Sequence, residues 1–143
     1  MVTDRSRAAA KTGIDPAAID AFAAALRGQL IRPGDADYED ARRVHNGMID
    51  KHPALIARCA TVADVIAGVN FAREQGLDLA IRSGGHNGPG LGTCDDGLVL
   101  DLGRMDGIRV DPVARTARVE GGATLGAVDH ATHAFGLASS FGV

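Results

Sequence analysis

The sequence has only two cysteines, Cys59 and Cys94, and they are not spaced as a CxxC pair. Two thiols supply neither a structural zinc site nor a disulfide framework, so a reducing cytoplasm is the expected setting. Basic residues are not in excess: 15 Lys+Arg stand against 18 Asp+Glu, a formal net charge of −3. No basic field gathers a polyanion, which argues against nucleic acid as a partner. Long apolar runs are missing too. The opening stretch Met1–Ala18 mixes Asp4, Arg5, Arg7 and Lys11 with alanines, unlike the continuous apolar segment of a signal peptide. No later segment is apolar enough to span a bilayer, so no membrane partner is expected. Internal repeats and low-complexity tracts are absent.

What is present is an ordinary globular balance, 45 % hydrophobic and 23 % charged over 143 residues, enough for one compact domain or part of one. Asp15 and Pro16 open a predicted helix in which Ile19, Phe22, Ala23, Leu26 and Leu30 recur at helical spacing toward the turn Arg32-Pro33-Gly34-Asp35. Tyr38 to Pro53 has little periodicity and reads as an irregular connection with a helical turn around Arg42.

From Leu55 the pattern sharpens. Leu55 to Cys59 reads as a strand, Thr61 and Asp64 as a capping pair, and Val62, Val65, Ile66, Val69 and Ala72 as one helical face that stops at Gly76. Leu77, Leu79 and Ile81 alternate with Asp78 and Ala80 as a second strand. The two strands, Leu55–Arg58 and Asp78–Ile81, are expected to be parallel neighbours joined by the helix Val62–Gln75. Leu98 to Leu102, Gly107 to Val110 and Thr116 to Glu120 then predict an antiparallel meander, and Thr124 caps a last helix with Leu125, Val128 and Phe135 on one face. The fold class is α+β: a strand–helix–strand unit plus mainly antiparallel strands.

A strand–helix–strand unit leaves its ligand-facing loops at the carboxyl ends of its strands. There, several of the 19 glycines crowd into Arg82-Ser83-Gly84-Gly85-His86-Asn87-Gly88-Pro89-Gly90-Leu91-Gly92. Consecutive N–H groups in such a turn can form a concave nest for a phosphate, with Ser83 or Asn87 adding side-chain donors and Arg82 adding charge. A glycine turn that only reverses the chain is the commoner outcome. The embedded His86 raises the functional reading, since an imidazole is nucleophilic and can bond to an electrophilic cofactor. Gly88-Pro89-Gly90-Leu91-Gly92 is not a dinucleotide fingerprint, because Asp95-Asp96-Gly97 leads into a strand where that motif needs a helix.

The other histidines suggest less. His130 and His133 lie off the apolar face of the last helix and read as solvated, so no metal site is expected. His45 and His52 stand in the unpatterned stretch without an identifiable partner. Cys59 and Cys94 read as packed or free thiols.

The string Ile81-Arg82-Ser83-Gly84-Gly85-His86-Asn87 with Gly90, followed by Cys94-Asp95-Asp96-Gly97 and Leu100-Asp101-Leu102, resembles the berberine-bridge-enzyme-like FAD-linked oxidases of the vanillyl-alcohol-oxidase superfamily. Asn46-Gly47-Met48-Ile49-Asp50 with Pro53-Ala54-Leu55-Ile56, then Asp111-Pro112, Gly121-Gly122-Ala123 and Phe135-Gly136-Leu137-Ala138, are similar to the same group in the same order. His45 stands where relatives often carry a large aromatic residue.

The resemblance implies a helix and connection over 1–37 and the N-terminal portion of a PCMH-type FAD-binding domain over 38–143. It also implies FAD as cofactor, attached covalently to His86 through the flavin 8α-methyl carbon, with Arg82, Ser83, Gly84, Gly85, His86, Asn87 and Gly88 cradling the pyrophosphate. Relatives continue past the position of Val143 into a substrate domain and a catalytic base, so no catalytic residue is assigned here. A small-molecule substrate and oxygen are the partners the resemblance implies for the full-length protein. The alternative is a non-catalytic truncated fragment that binds nucleotide weakly or not at all.

Overall fold

The computed structural model describes residues 13–140. Asp4 to Lys11, which carry the expectation about a signal peptide, lie outside the described residues. The elements run α1 (Pro16–Ala25), β1 (Gln29–Ile31), α2 (Tyr38–Ala41), β2 (Leu55–Arg58), α3 (Val62–Gln75), β3 (Leu79–Arg82), β4 (Leu98–Asp101), β5 (Ile108–Asp111), β6 (Thr116–Val119) and α4 (Leu125–His133). The class is α+β. Strands β1 to β4 form one sheet in the order β1-β2-β4-β3, and β5 pairs with β6 separately.

Local chemistry sets most boundaries where the sequence placed them. Asp15 caps α1 through a 3.0 Å bond from Ala17 N, with Pro16 at the first position. Asp64 accepts from Thr61 N at 3.2 Å at the start of α3, and Gly76 ends that helix in the left-handed region at φ 64°. Thr124 Oγ1 caps α4 through Ala127 N at 3.3 Å. The helical turn near Arg42 is α2, with Arg42 at its C-cap.

Strand order departs from expectation. β4 is not part of a meander; it lies between β2 and β3 and pairs in parallel with both. β2 and β3 are therefore parallel to one another but not adjacent. Leu98, Val99 and Leu100 are fully buried, as suits a central parallel strand covered on both faces. Returning the chain for a parallel pairing needs roughly a dozen residues, which the connection 83–97 supplies. Of the expected meander only the β5–β6 hairpin is antiparallel.

Each face of the sheet has its own core. On one, Ile19 and Phe22 of α1 and Phe71 and Ala72 of α3 cover Leu55, Ala57, Leu98 and Leu100, with the Phe22 and Phe71 rings stacked at 4.3 Å. On the other, Tyr38 and Ala41 of α2 cover Ile31, Ile56, Ala80 and Val99. The Tyr38 hydroxyl donates to Pro53 O at 2.8 Å, so this buried polar atom is satisfied.

Four further expectations are corrected. The first helix stops at Ala25 and Gln29–Ile31 is a strand, because Asp64 draws in the N–H groups of Arg27 and Gly28 at 2.8 and 3.1 Å. A Cβ on Gly28 would sit 1.9 Å from Arg58 O, so only glycine permits this approach. The buried face of α3 is Asp64, Gly68, Phe71 and Ala72, with Val65 beside it. Val62, Ile66 and Val69 are exposed instead, since the helix leans on the sheet through Gly68 against Leu100. In β3 the alternation is inverted: Ala80 and Arg82 are buried while Leu79 and Ile81 are 37 % and 55 % exposed. On α4, Val128 and Thr132 are buried, and Leu125 and Phe135 are not.

Candidate functional site

The three parallel strands end side by side. Arg58, Asp101 and Arg82 are their last residues and stand in register across the sheet. Asp101 Oδ2 accepts from Arg82 Nη2 at 2.8 Å and lies 3.9 Å from Arg58 Nε. Arg82 Nη1 donates to Arg43 O at 3.1 Å. The Arg82 side chain is only 7 % exposed, so its charge sits behind the loop that follows, joined to the sheet and to the connection before β2.

That loop borders an open cavity of about 380 Å³ lined by residues from Ile81 to Asn87, with Leu91 and Gly92. Gly85 takes φ 71° and Gly90 φ 76°, values that L side chains resist. The segment Val44–Lys51 braces the loop from below. His45 N donates to Gly85 O at 3.1 Å, Asn46 Nδ2 to Gly88 O at 3.0 Å, and Lys51 Nζ to Gly90 O and Thr93 O at 3.2 Å each. Within the loop, Gly90 N donates to Asn87 O at 3.1 Å and Leu91 N to Asn87 Oδ1 at 2.9 Å. Ser83 Oγ donates to Gly121 O, fastening the loop to the exit of β6.

These bonds have a directional consequence. In a trans peptide the carbonyl and the next N–H point opposite ways. Holding the carbonyl of Gly85 on His45 N therefore turns the N–H group of His86 away from the brace. Among the described residues, none of the backbone N–H groups from Gly84 to Gly88 donates to protein. Adjacent unsatisfied donors over a buried guanidinium are the composition of an anion nest.

His86 is exposed, and its ring makes no hydrogen bond among the described residues. It is held by shape. The His45 ring meets it edge-on, with centroids 4.8 Å apart and planes at 89°. Gly84 lies alongside, where a Cβ would be 3.4 Å from His86 Cε1 and Nδ1.

The cradle residues proposed from sequence thus lie together at the end of β3 and in the loop that follows it, but with different employments. Arg82 and Ser83 spend side-chain donors on protein partners, Asn87 shapes the turn, and Gly84, Gly85, His86 and Gly88 present free N–H groups. His45, expected to lack a partner, has two: the Gly85 carbonyl and the His86 ring. His45, Asn46 and Lys51 were missed as site residues because a brace of this kind has no periodicity; the Asn46-Gly47-Met48-Ile49-Asp50 string and the departure at His45 were the traces of it. His52 is tied through its backbone to Asp95 and Asp96, on the far turn. His130 and His133 are exposed, and among the described residues no His, Cys, Asp and Glu cluster could hold a metal. No described helix is long and apolar enough to cross a membrane.

The family model described as an FAD binding domain matches residues 53–142, a span that includes the whole glycine loop. The chain belongs to this FAD-binding-domain family. It is 37 % identical over 118 residues to the (R)-6-hydroxynicotine oxidase of Paenarthrobacter nicotinovorans, covering 82 % of this chain and 26 % of that protein. It is 40 % identical over 88 residues to berberine bridge enzyme-like 14 of Arabidopsis thaliana, covering 60 % of this chain and 16 % of the relative. The crystal structure of 6-hydroxy-D-nicotine oxidase from Arthrobacter nicotinovorans superposes with a TM-score of 0.74 at 37 % identity, over 78 % of this chain and 24 % of that one. The FAD-binding domain described here is thus a partial PCMH-type domain of the berberine-bridge-enzyme-like, vanillyl-alcohol-oxidase group. It spans about a quarter of the length of its first relatives, 26 % in two of them.

The residues present fit FAD. From Gly84 to Gly88 the loop offers backbone N–H groups that find no protein acceptor among the described residues, donors of the kind a pyrophosphate takes, and an exposed imidazole at the cavity wall.

Proposed function

We propose that this chain is the cofactor-holding part of an FAD-dependent oxidase that acts on a small molecule, with His86 as the point of covalent attachment at the flavin 8α carbon. The flavin, when bound, supplies the redox chemistry: it takes hydride from substrate and passes electrons to oxygen. The chain's own part is to bind and orient. Gly84, Gly85, His86, Asn87 and Gly88 direct backbone donors at the pyrophosphate, Arg82 places positive charge behind them, and Ser83 anchors the loop. No base for substrate is assigned to these residues. A cytoplasmic setting without nucleic-acid or membrane partners accompanies this proposal.

The observation that supports it best is the His86 ring, exposed at the cavity wall and without a hydrogen bond among the described residues, on a backbone whose N–H groups from Gly84 to Gly88 donate to no described protein group. The test is peptide mapping of full-length holoprotein after acid precipitation. A flavin mass on the peptide carrying His86 is expected. An adduct only on another peptide, or active protein with none, would defeat the assignment.

Taken by itself, the 143-residue polypeptide is proposed to self-associate and to hold nucleotide weakly or not at all. Val62, Ile66, Val69, Leu79 and Ile81 are exposed and favour this. Expression of this segment alone decides it: a monomer with a cooperative melt and tight FAD binding contradicts the proposal.

A further inference from the structure

His45 and His86 lie 41 residues apart and belong to different elements, yet their rings meet at right angles beside the cavity. Two independent features hold His45 there. Its backbone N–H is bonded to Gly85 O, within the loop itself, so His45 moves with the loop that carries His86. Its ring then abuts the His86 ring in the edge-to-face arrangement that aromatic quadrupoles prefer. Gly84 is also near the His86 ring: a Cβ there would stand 3.4 Å from two ring atoms. Rotation of the exposed His86 about its side-chain torsions is thus limited by the His45 ring.

We propose that His45 is the positioning residue for His86, holding its imidazole in the orientation from which the bond to the cofactor forms. This rests on the assignment of His86 as the attachment point. Attachment replaces one C–H bond of the 8α methyl and the imidazole N–H bond by a C–N bond. That is a two-electron oxidation: the electrons pass through the flavin ring to dioxygen, which leaves with both hydrogens as hydrogen peroxide. His45 takes no part in this exchange of atoms. Its contribution is to the fraction of time the reacting nitrogen faces the cavity, and near-attack geometry of this kind governs the rates of such steps.

The two features make separable predictions. The backbone bond to Gly85 O survives any substitution at 45 except proline, so loop shape and non-covalent FAD binding do not depend on the side chain. The ring contact does. In full-length apoprotein mixed with FAD, attachment is followed by flavin fluorescence of the denatured protein band, and non-covalent affinity by fluorescence quenching. His45→Ala is expected to slow attachment about three- to tenfold while affinity stays within about twofold of wild type. His45→Phe keeps an aromatic edge and face without a titratable nitrogen, and is expected to restore attachment to near the wild-type rate.

Attachment at the wild-type rate in His45→Ala would overturn the proposal. So would an equal slowing in His45→Ala and His45→Phe, which would trace the effect to the imidazole nitrogens and not to ring packing. Failure of the wild-type protein to form an adduct on His86 overturns the attachment assignment and this proposal together. Normal wild-type attachment with an unaffected His45→Ala overturns this proposal alone.

Discussion

Arg82 and Asp101, the last residues of β3 and β4, meet through a 2.8 Å hydrogen bond at the carboxyl edge of the sheet. The pair closes the sheet just where the glycine loop departs. Arg82 also donates to Arg43 O, so one side chain joins the sheet to the connection before β2.

Replacing Arg82 by Ala leaves the Asp101 carboxylate, 15 % exposed, without its close partner and Arg43 O without a donor. Arg58 at 3.9 Å softens the loss. The expected destabilisation of full-length protein is about 3 kcal/mol, read from the urea midpoint. Arg82→Lys should recover less than half, because a single ammonium does not reproduce the planar fork that serves both acceptors. Full rescue by lysine would contradict this account.

Asp64 is fully buried and receives N–H donors from Arg27, Gly28, Ala60 and Thr61 at 2.8 to 3.2 Å. Burial pushes its carboxyl up, but the four donors outweigh burial and leave it below the ordinary carboxylate range. A depressed folded-state pKa contributes stability that is present above the unfolded value, about 3.9, and is lost as pH falls through the folded value. Asp64→Asn is expected to cost about 3 kcal/mol at neutral pH, since an amide turns an N–H₂ toward backbone donors. Its stability should fall less than the wild type's between pH 5 and 3, about the range over which a carboxylate titrates. A parallel fall in the two proteins would sink the assignment.

The glycines of the loop are not equivalent. Gly90 has φ 76°, and a Cβ there would lie 2.8 Å from Ile49 Cγ2. Gly88 has neither a positive φ nor an atom within 4 Å of a Cβ. Gly90→Ala is expected to lower stability by about 1–2 kcal/mol from the backbone conformation, with crowding against Ile49 adding to it, and Gly88→Ala by less than about 0.5 kcal/mol. Thermal melts of the two variants side by side settle the ranking.

Burial pushes the Cys59 thiol up to about 11 and also raises Cys94. The thiolate is the reactive form, so Cys59 should resist alkylation at pH 8 in native protein and react fully once unfolded. Mass mapping of the two cysteine peptides after brief iodoacetamide treatment gives the answer. Rapid native labelling of Cys59 would mean that its environment is not the one described.

His86→Ala should release its flavin on denaturation but still bind FAD in the native full-length protein, because the donors of Gly84 to Gly88 are backbone groups. Equilibrium dialysis against FAD measures what remains. Complete loss of binding with an intact fold would show that the imidazole, and not the N–H nest, carries the affinity.

Much of this protein was legible from its residues alone. Capping and stop signals are local, so Asp15, Thr61 with Asp64, Gly76 and Thr124 mark helix ends correctly. The glycine string around His86 announced a bent backbone with free donors, since glycine imposes that possibility wherever it clusters. Other features depended on neighbours distant in sequence. Only the assembled sheet decided that β4 enters between β2 and β3, because an apolar run such as Leu98 to Leu100 suits any strand buried on both faces. Periodicity showed that α3 and β3 have two faces but not which is covered; Gly68 against Leu100 and the register of Ala80 beside Val99 chose it. The brace of His45, Asn46 and Lys51 beneath the loop likewise came from tertiary structure, since hydrogen bonds to carbonyls some forty residues away leave no spacing in the sequence to read.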